Sequence, residues 1–193
     1  MLDALDRELF LLVNVGRDAH HLLIGAGRFF AVYAHWLLLV LVAGYAIRRW
    51  TPLMRPLATA VLAIGLGSLA CELIGQAWDR PRPFEHGLGF LHLLHAPSPS
   101  FPSSHATAFS AVAVSFLLAA GHRVFGQVLL VLAVLVAVSR VVVGVHYPLD
   151  VTFGVLLGCL SAMAAHYLIA RAGRLHRPRG MIGPPQASGK EEQ

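Results

Sequence analysis

The sequence predicts an all-α protein: a polytopic membrane helical bundle of about five transmembrane helices, preceded by an N-terminal amphipathic helix. Composition is the first reason. Of 193 residues, 56% are hydrophobic and only 13% are charged, about half the charged fraction of an ordinary soluble domain. The second reason is the length of the apolar runs. Five of them approach the about 20 helical residues that cross a bilayer core of about 30 Å. The third is that a helix satisfies its own backbone polar groups in lipid.

The elements follow in chain order. Leu2, Leu5, Leu9, Leu12 and Val13 recur at helical spacing, with Asp3, Asp6 and Arg7 between them. That pattern predicts an amphipathic helix, lying in the outer interface or packed against the bundle. The opening MLDALDRE is acidic, and no small-residue cleavage site follows it, so no cleavable signal peptide is expected. The first span is centred on the uncharged run from Phe29 to Ile47. The second runs from Pro56 to Trp78, interrupted by Glu72, a costly charge of the kind usually paired. The expected roles of Glu72 are a structural ion pair or a hold on Arg80 or Arg82. The loop from Asp79 to Phe101 carries Pro81, Pro83, Pro97 and Pro99, and loops of that length in compact folds are often functional.

The third span, from Ala106 to Gly121, is short and borrows from Ser103 and His105. The fourth, from Val124 to Ser139, is apolar apart from Gln127. The fifth, from Val151 to Ala170, carries Gly154, Gly158 and Ala162 at four-residue spacing, a pattern of close helix packing. Cys71 and Cys159 sit inside apolar runs and read as inert buried thiols. Residues 1–171 form one expected membrane domain. Residues 172–193, ending in GKEEQ, form an expected disordered cytoplasmic tail.

The net charge is +5, and every basic residue but Lys190 is arginine. Arg48, Arg49 and Arg55 lie between the first two spans, His122 and Arg123 between the third and fourth, and Arg171, Arg174, Arg177 and Arg179 after the last. All three places fall on one side, which the positive-inside tendency makes cytoplasmic. The charge therefore reads as topology, and no nucleic-acid partner is expected. Arg80, Arg82 and Arg140 fall on the other side and need a different explanation.

They belong to three clusters: DRPRPF from Asp79, PSSH from Pro102, and SRVVVGVHYPLD from Ser139. Each alone is weak. An RPRP can be a stiff basic loop, and a lone histidine at a helix start is more often structural. Together they bring arginines, serines, two histidines and a carboxylate to one face of the membrane. Arginine presents a planar fork of donors that matches phosphate oxygens, so Arg80, Arg82 and Arg140 predict an anion pocket. Ser103, Ser104 and His105 open a helix whose free N–H groups favour a phosphate, and Ser103 can also cap that helix. If the last helix begins near Pro148, His146 and Asp150 come close. A carboxylate on one imidazole nitrogen leaves the other as a nucleophile. His146 would then attack phosphorus, and His105 would act as acid and base. No metal and no cofactor are expected, because guanidiniums supply the charge. His92 and His95 in HLLH have metal-like spacing but read as loop polar residues.

FPSSHAT and SRVVVGVHYPLDV resemble the second and third signature motifs of the type 2 phosphatidic acid phosphatase (PAP2) superfamily. Pro102-Ser103-Ser104-His105 matches P-S-x-H, and Ser139, Arg140, His146 and Asp150 match S-R-x5-H-x3-D. Arg82-Pro83 fits the end of the first motif, K-x6-R-P, but Gly75 stands at its lysine position, and Arg80 is the expected substitute. The chain is most similar to the bacitracin-resistance type of undecaprenyl-pyrophosphate phosphatase. The resemblance implies His146 as nucleophile, Asp150 as its orienting partner and His105 as acid/base. It implies Arg82, Arg140, Ser103, Ser104 and Ser139 as phosphate binders. It implies a polyprenyl pyrophosphate substrate, a place in the bacterial cytoplasmic membrane and a site facing outward. The alternatives are a phosphatidic acid or phosphatidylglycerophosphate phosphatase, a lipid phosphotransferase, and a membrane anion-binding protein or transporter. The transporter would need ionisable residues deep in several helices, and only Glu72 and His166 qualify.

Overall fold

The computed structural model describes residues 2–49 and 53–175. It is all-helical among those residues, with six helices: α1 (Leu2–Val13), α2 (His21–Arg48), α3 (Met54–Ala77), α4 (Ser104–Leu118), α5 (Arg123–Val142) and α6 (Pro148–Leu175). A single 3-10 turn, Pro83–His86, lies in the loop between α3 and α4. Four helices are long and apolar enough to cross a membrane: α2, α3, α5 and α6. The protein is a multi-pass membrane protein. Helix α4 is the shorter fifth member, at 15 residues, or about 22 Å at 1.5 Å per residue. The expected tail begins inside α6, which runs to Leu175, and the rest of it lies outside the described residues.

Helix α4 is the centre of the bundle, packed on α3, α5 and α6. Its residues explain why. Ala106, Ser110, Ala111 and Ala113 are fully buried, and such small side chains let neighbouring backbones approach. The glycines expected to pack closely do so against α4. A Cβ on Gly154 would stand 2.6 Å from the Ser103 carbonyl oxygen, and one on Gly158 would collide with Ser110 Oγ and the Thr107 carbonyl. Larger residues of α4 face α2, α3 and α5, where Val112 and Phe116 meet Ala60 and Leu129. Helix α2 leans on α5, and α1 lies across α5 and α6.

The starts of α4 and α6 and the end of α5 meet at one end of the bundle. Ser103 caps α4, its Oγ accepting from Ala106 N–H, and its own N–H donates to the Asp150 carbonyl at 3.0 Å. Pro148 opens α6 as expected. Between α5 and α6 the chain turns sharply at Gly144, with φ of +86°. A side chain there would also collide with the Phe90 carbonyl, so the loop closes over this end only because that position is bare.

Candidate active site

Three segments from distant parts of the chain build the site. The 80–82 loop, the 98–105 segment and the α5–α6 turn bring Arg82, Ser104 and His146 to the wall of one cavity of about 340 Å³. The opposite wall is a polar stripe of α3 that includes Ser68, Glu72 and Gln76.

His146 is buried, at 2% exposure. Its Nδ1 lies 2.8 Å from the Ser100 carbonyl oxygen, an acceptor, so Nδ1 carries the proton. That leaves Nε2 unprotonated, 3.2 Å from Arg82 Nη1. Burial pushes the imidazole down to about 4, while Asp150 pulls the other way and Arg82 and Arg140 add to the fall. The ring is therefore neutral at neutral pH. Asp150 was the expected direct partner of Nδ1, but it lies 3.6 Å from it. The Ser100 carbonyl makes the closer contact, and the Ser100 hydroxyl donates to Asp150 Oδ2. Ser100 thus links the pair.

The arginines separate into different tasks. Arg82 is buried, which lowers its pKa. Its donors reach the carbonyls of Ser98, Pro99 and Val145 and the Ser98 hydroxyl. Rigidly held, it presents Nη1 beside the His146 nitrogen. Arg140 is 2% exposed. It donates to the Ala31 carbonyl at 3.2 Å, and its Nε has no partner among the described residues. Arg80 departs from the expected phosphate contact. Its guanidinium pairs with Asp150 at 2.6 Å, Asp6 at 2.7 Å and Asp3 at 3.2 Å, over the ring of Tyr147. Burial works against its charge, but Asp150 and Asp6 hold its pKa above the ordinary value. A cation so committed to carboxylates is an anchor for Asp150, not a phosphate ligand.

The serines also divide. Ser104 is exposed and lines the cavity. Ser103 is fully buried as the α4 cap, and the Ser139 hydroxyl donates to the Val136 carbonyl at 2.7 Å. The Ser103 oxygen only accepts there, so capping does not use the O–H expected to reach phosphate, whereas the Ser139 hydroxyl already donates to backbone. His105 is exposed in the first turn of α4, within electrostatic reach of Arg140, His146, His95 and Arg82. Glu72 holds neither Arg80 nor Arg82. It accepts from Gln76 at 2.8 Å and faces the cavity. Gly75, at the lysine position of the resembled motif, lies against Pro99.

Some participants escaped the sequence reading. His95 binds the Ala96 carbonyl and lies within electrostatic reach of Arg82 and Arg140, and HLLH alone gives no sign of that. Ser100 contributes through its carbonyl to His146 and its hydroxyl to Asp150, and its place outside the three clusters gave no sign of either. Asp6 did leave a signal: Asp6, Phe10 and Asn14 recur at a spacing of four, a second stripe facing inward. A larger cavity of about 600 Å³ lies at the other end of the bundle, between Arg55 and Arg174. It is remote from His146, and its basic lining fits the helix-end positive charge.

A family model described as the PAP2 superfamily matches residues 56–174. The chain is 35% identical over 170 residues to YbjG of Escherichia coli (strain K12), provisionally named an undecaprenyl-diphosphatase; the match covers 84% of this chain and 83% of that protein. It is 36% identical over 107 residues to the undecaprenyl-diphosphatase BcrC of Bacillus subtilis (strain 168), covering 55% of this chain and 52% of that one. Among solved structures, Aquifex aeolicus LpxE superimposes with a TM-score of 0.66 at 26% identity, covering 82% of this chain and 92% of that one.

Proposed function

Because the chain belongs to the PAP2 superfamily, we propose that this phosphatase removes the terminal phosphate of undecaprenyl pyrophosphate and leaves undecaprenyl phosphate. The observation that carries the reading is the His146 imidazole: neutral, with its Nδ1 proton held by the Ser100 carbonyl and its Nε2 beside Arg82 at the cavity of about 340 Å³. The names of two relatives supply the lipid.

The chemistry then runs in two steps. His146 Nε2 attacks the terminal phosphorus, and the bond from that phosphorus to the bridging oxygen breaks. Undecaprenyl phosphate leaves, its bridging oxygen taking a proton from His105, and a phosphohistidine remains. Water, deprotonated by His105, attacks the same phosphorus and breaks the N–P bond, so orthophosphate departs and His146 is restored. Arg82 and Arg140 stabilise the equatorial oxygens. Ser104 and the α4 N–H groups bind the phosphate ground state. The Asp150 carboxylate steadies the charge that appears on the His146 ring.

The membrane is the bacterial cytoplasmic membrane in this reading, and the site faces outward. What supports this is the charge. Arg48, Arg49, Arg55, Arg123, Arg171 and Arg174 mark the far end of the bundle, and no Asp or Glu among the described residues joins them.

The test offers purified protein undecaprenyl pyrophosphate, phosphatidylglycerophosphate and phosphatidic acid side by side and measures released phosphate. A clear preference for the pyrophosphate is expected, and a preference for either monophosphate sinks the assignment. Turnover should persist in excess EDTA, since guanidiniums carry the charge role here. Loss on chelation with restoration by Mg²⁺ would falsify that part.

A further inference from the structure

We infer that Asp6 of the N-terminal helix is a positioning residue for the His146–Asp150 pair, acting through Arg80; the inference rests on the phosphatase reading above.

Asp150 is fully buried. Its Oδ1 receives Arg80 Nη1 at 2.6 Å, and its Oδ2 receives the Tyr147 N–H at 2.8 Å and the Ser100 hydroxyl. The other terminal nitrogen of the same guanidinium lies 2.7 Å from Asp6 Oδ2. Arg80 therefore bridges two buried carboxylates, one on α1 and one at the head of α6. Asp6, 1% exposed, makes a second contact of its own. Its Oδ1 accepts from the Leu149 N–H at 2.9 Å. One side chain of α1 thus holds both the cation on Asp150 and the backbone immediately before it.

The charge balance gives this arrangement a consequence. A buried guanidinium shared between carboxylates leaves Asp150 part of its negative charge to offer the imidazole. With Asp6 neutral, Arg80 keeps only the exposed Asp3, at 3.2 Å, beside Asp150, so it turns more of its charge on Asp150 and draws that carboxylate from His146, 3.6 Å away. Removing one member of a buried ionic network also leaves the others imperfectly compensated. The rest of α1 holds the arrangement in place. Phe10 packs edge-on against Tyr147, with ring centroids 5.6 Å apart, and the Arg80 guanidinium sits 4.3 Å from the centre of the Tyr147 ring. Asn14 donates to the carbonyls of Phe90 and Val142 and accepts from the Phe90 N–H. The outward face of the same helix presents Leu2, Leu5, Leu9 and Leu12, an apolar surface suited to the bilayer interface.

The experiment compares Asp6→Asn, Asp6→Glu and, as a control on the same helix, the exposed Glu8→Gln, in nanodiscs with undecaprenyl pyrophosphate. Asp6→Asn should lower kcat at least about tenfold, as expected when a buried ionic network loses a charge, with KM within about twofold. Asp6→Glu should recover part of the loss, and Glu8→Gln should match the wild type. Melting temperature is measured alongside. An Asp6→Asn protein with wild-type kcat overturns the inference, as does one whose kcat and KM change in equal proportion. If Asp6→Asn does not fold, Asp6→Glu decides: lowered kcat at native melting temperature supports the inference, and wild-type kcat overturns it. A second readout does not depend on the substrate. The His146 Nδ1–H resonance, assigned by its loss in His146→Gln, should move in the folded Asp6 variant and not in Glu8→Gln. If the wild type cleaves no lipid pyrophosphate, the functional reading fails, and this resonance alone decides the inference, an unmoved signal sinking it.

Discussion

His146 has an imidazole whose proton position is set by a backbone carbonyl and whose charge is set by burial. An exposed histidine takes a proton near 6.5, but burial lowers His146 to about 4. Because the folded value is lowered, the neutral, nucleophilic form persists as pH falls through 6.5 and is lost near 4. Titration of histidine-labelled protein by nitrogen NMR should place the His146 midpoint far below 6.5, and a midpoint near 6.5 would contradict the buried, carbonyl-bound ring. His146→Gln should abolish turnover, because glutamine cannot take the phosphoryl group. The two serines before His105 should part company. Ser103→Ala removes a cap worth about 1 kcal/mol and should lower melting temperature, whereas Ser104→Ala should raise KM with the fold intact. Equal effects on both quantities would show that the two hydroxyls do not have separate tasks. The candidates His146, His105, Arg82, Arg140 and Asp150 could be picked out because phosphate chemistry restricts which residue types serve, and the fold brings them to one end of the bundle. The separation of Arg80 from Arg82, and of Ser103 from Ser104, was not legible in the sequence. Neighbours in sequence differ here in which partner the fold turns toward them, and Asp6 and Asp150 meet only in three dimensions.

Among the elements, the long apolar runs were legible because a membrane demands length and lack of charge, and local sequence states both. Pro148 and Ser103 marked helix starts for equally local reasons. The inward stripe of α1 was harder to see. Its leucines predicted an amphipathic helix, lying in the outer interface or packed against the bundle, without saying which; Leu2 and Leu12 are 70% and 81% exposed and Asp6 is buried. In a membrane protein, apolar residues can face outward toward lipid, so hydrophobicity alone does not say which side is in. The contact of α6 with α4 offers a direct test at this scale. Gly158→Val adds side-chain atoms where even a Cβ meets Ser110 and Thr107. Overpacking of this kind costs about 1 to 3 kcal/mol, and the displaced helix carries Asp150 at its head. Melting temperature and kcat should fall together. A variant that melts like wild type would mean the two helices are less tightly apposed than their backbones imply.

Across the whole molecule, charge is divided between the two ends. Helices α2, α4 and α6 run from the site end to the far end, and α3 and α5 return, an alternation that the sequence carried in its loops. Aspartates and glutamates of the connecting segments, such as Asp79 and Glu85, stand at the site end with His146, while Arg48, Arg55, Arg123 and Arg174 stand at the other. Positive residues favour the cytoplasmic side. Arg80, Arg82 and Arg140 oppose that rule, and each is held by the fold: Arg80 by carboxylates, Arg82 by carbonyls and Arg140 by the Ala31 carbonyl. Arg7, Arg17 and Arg28 also stand at the site end, so the asymmetry lies in the acidic residues, which among the described residues occur at that end and not at the other. The orientation can be read with impermeant thiol reagents on intact cells, because His86 and Ala120 are exposed at opposite ends. His86→Cys should react before lysis and Ala120→Cys only after it, each measured against the background of Cys71 and Cys159. The reverse pattern would place His146 on the cytoplasmic side, where a carrier lipid released outside the membrane could not reach it without first crossing.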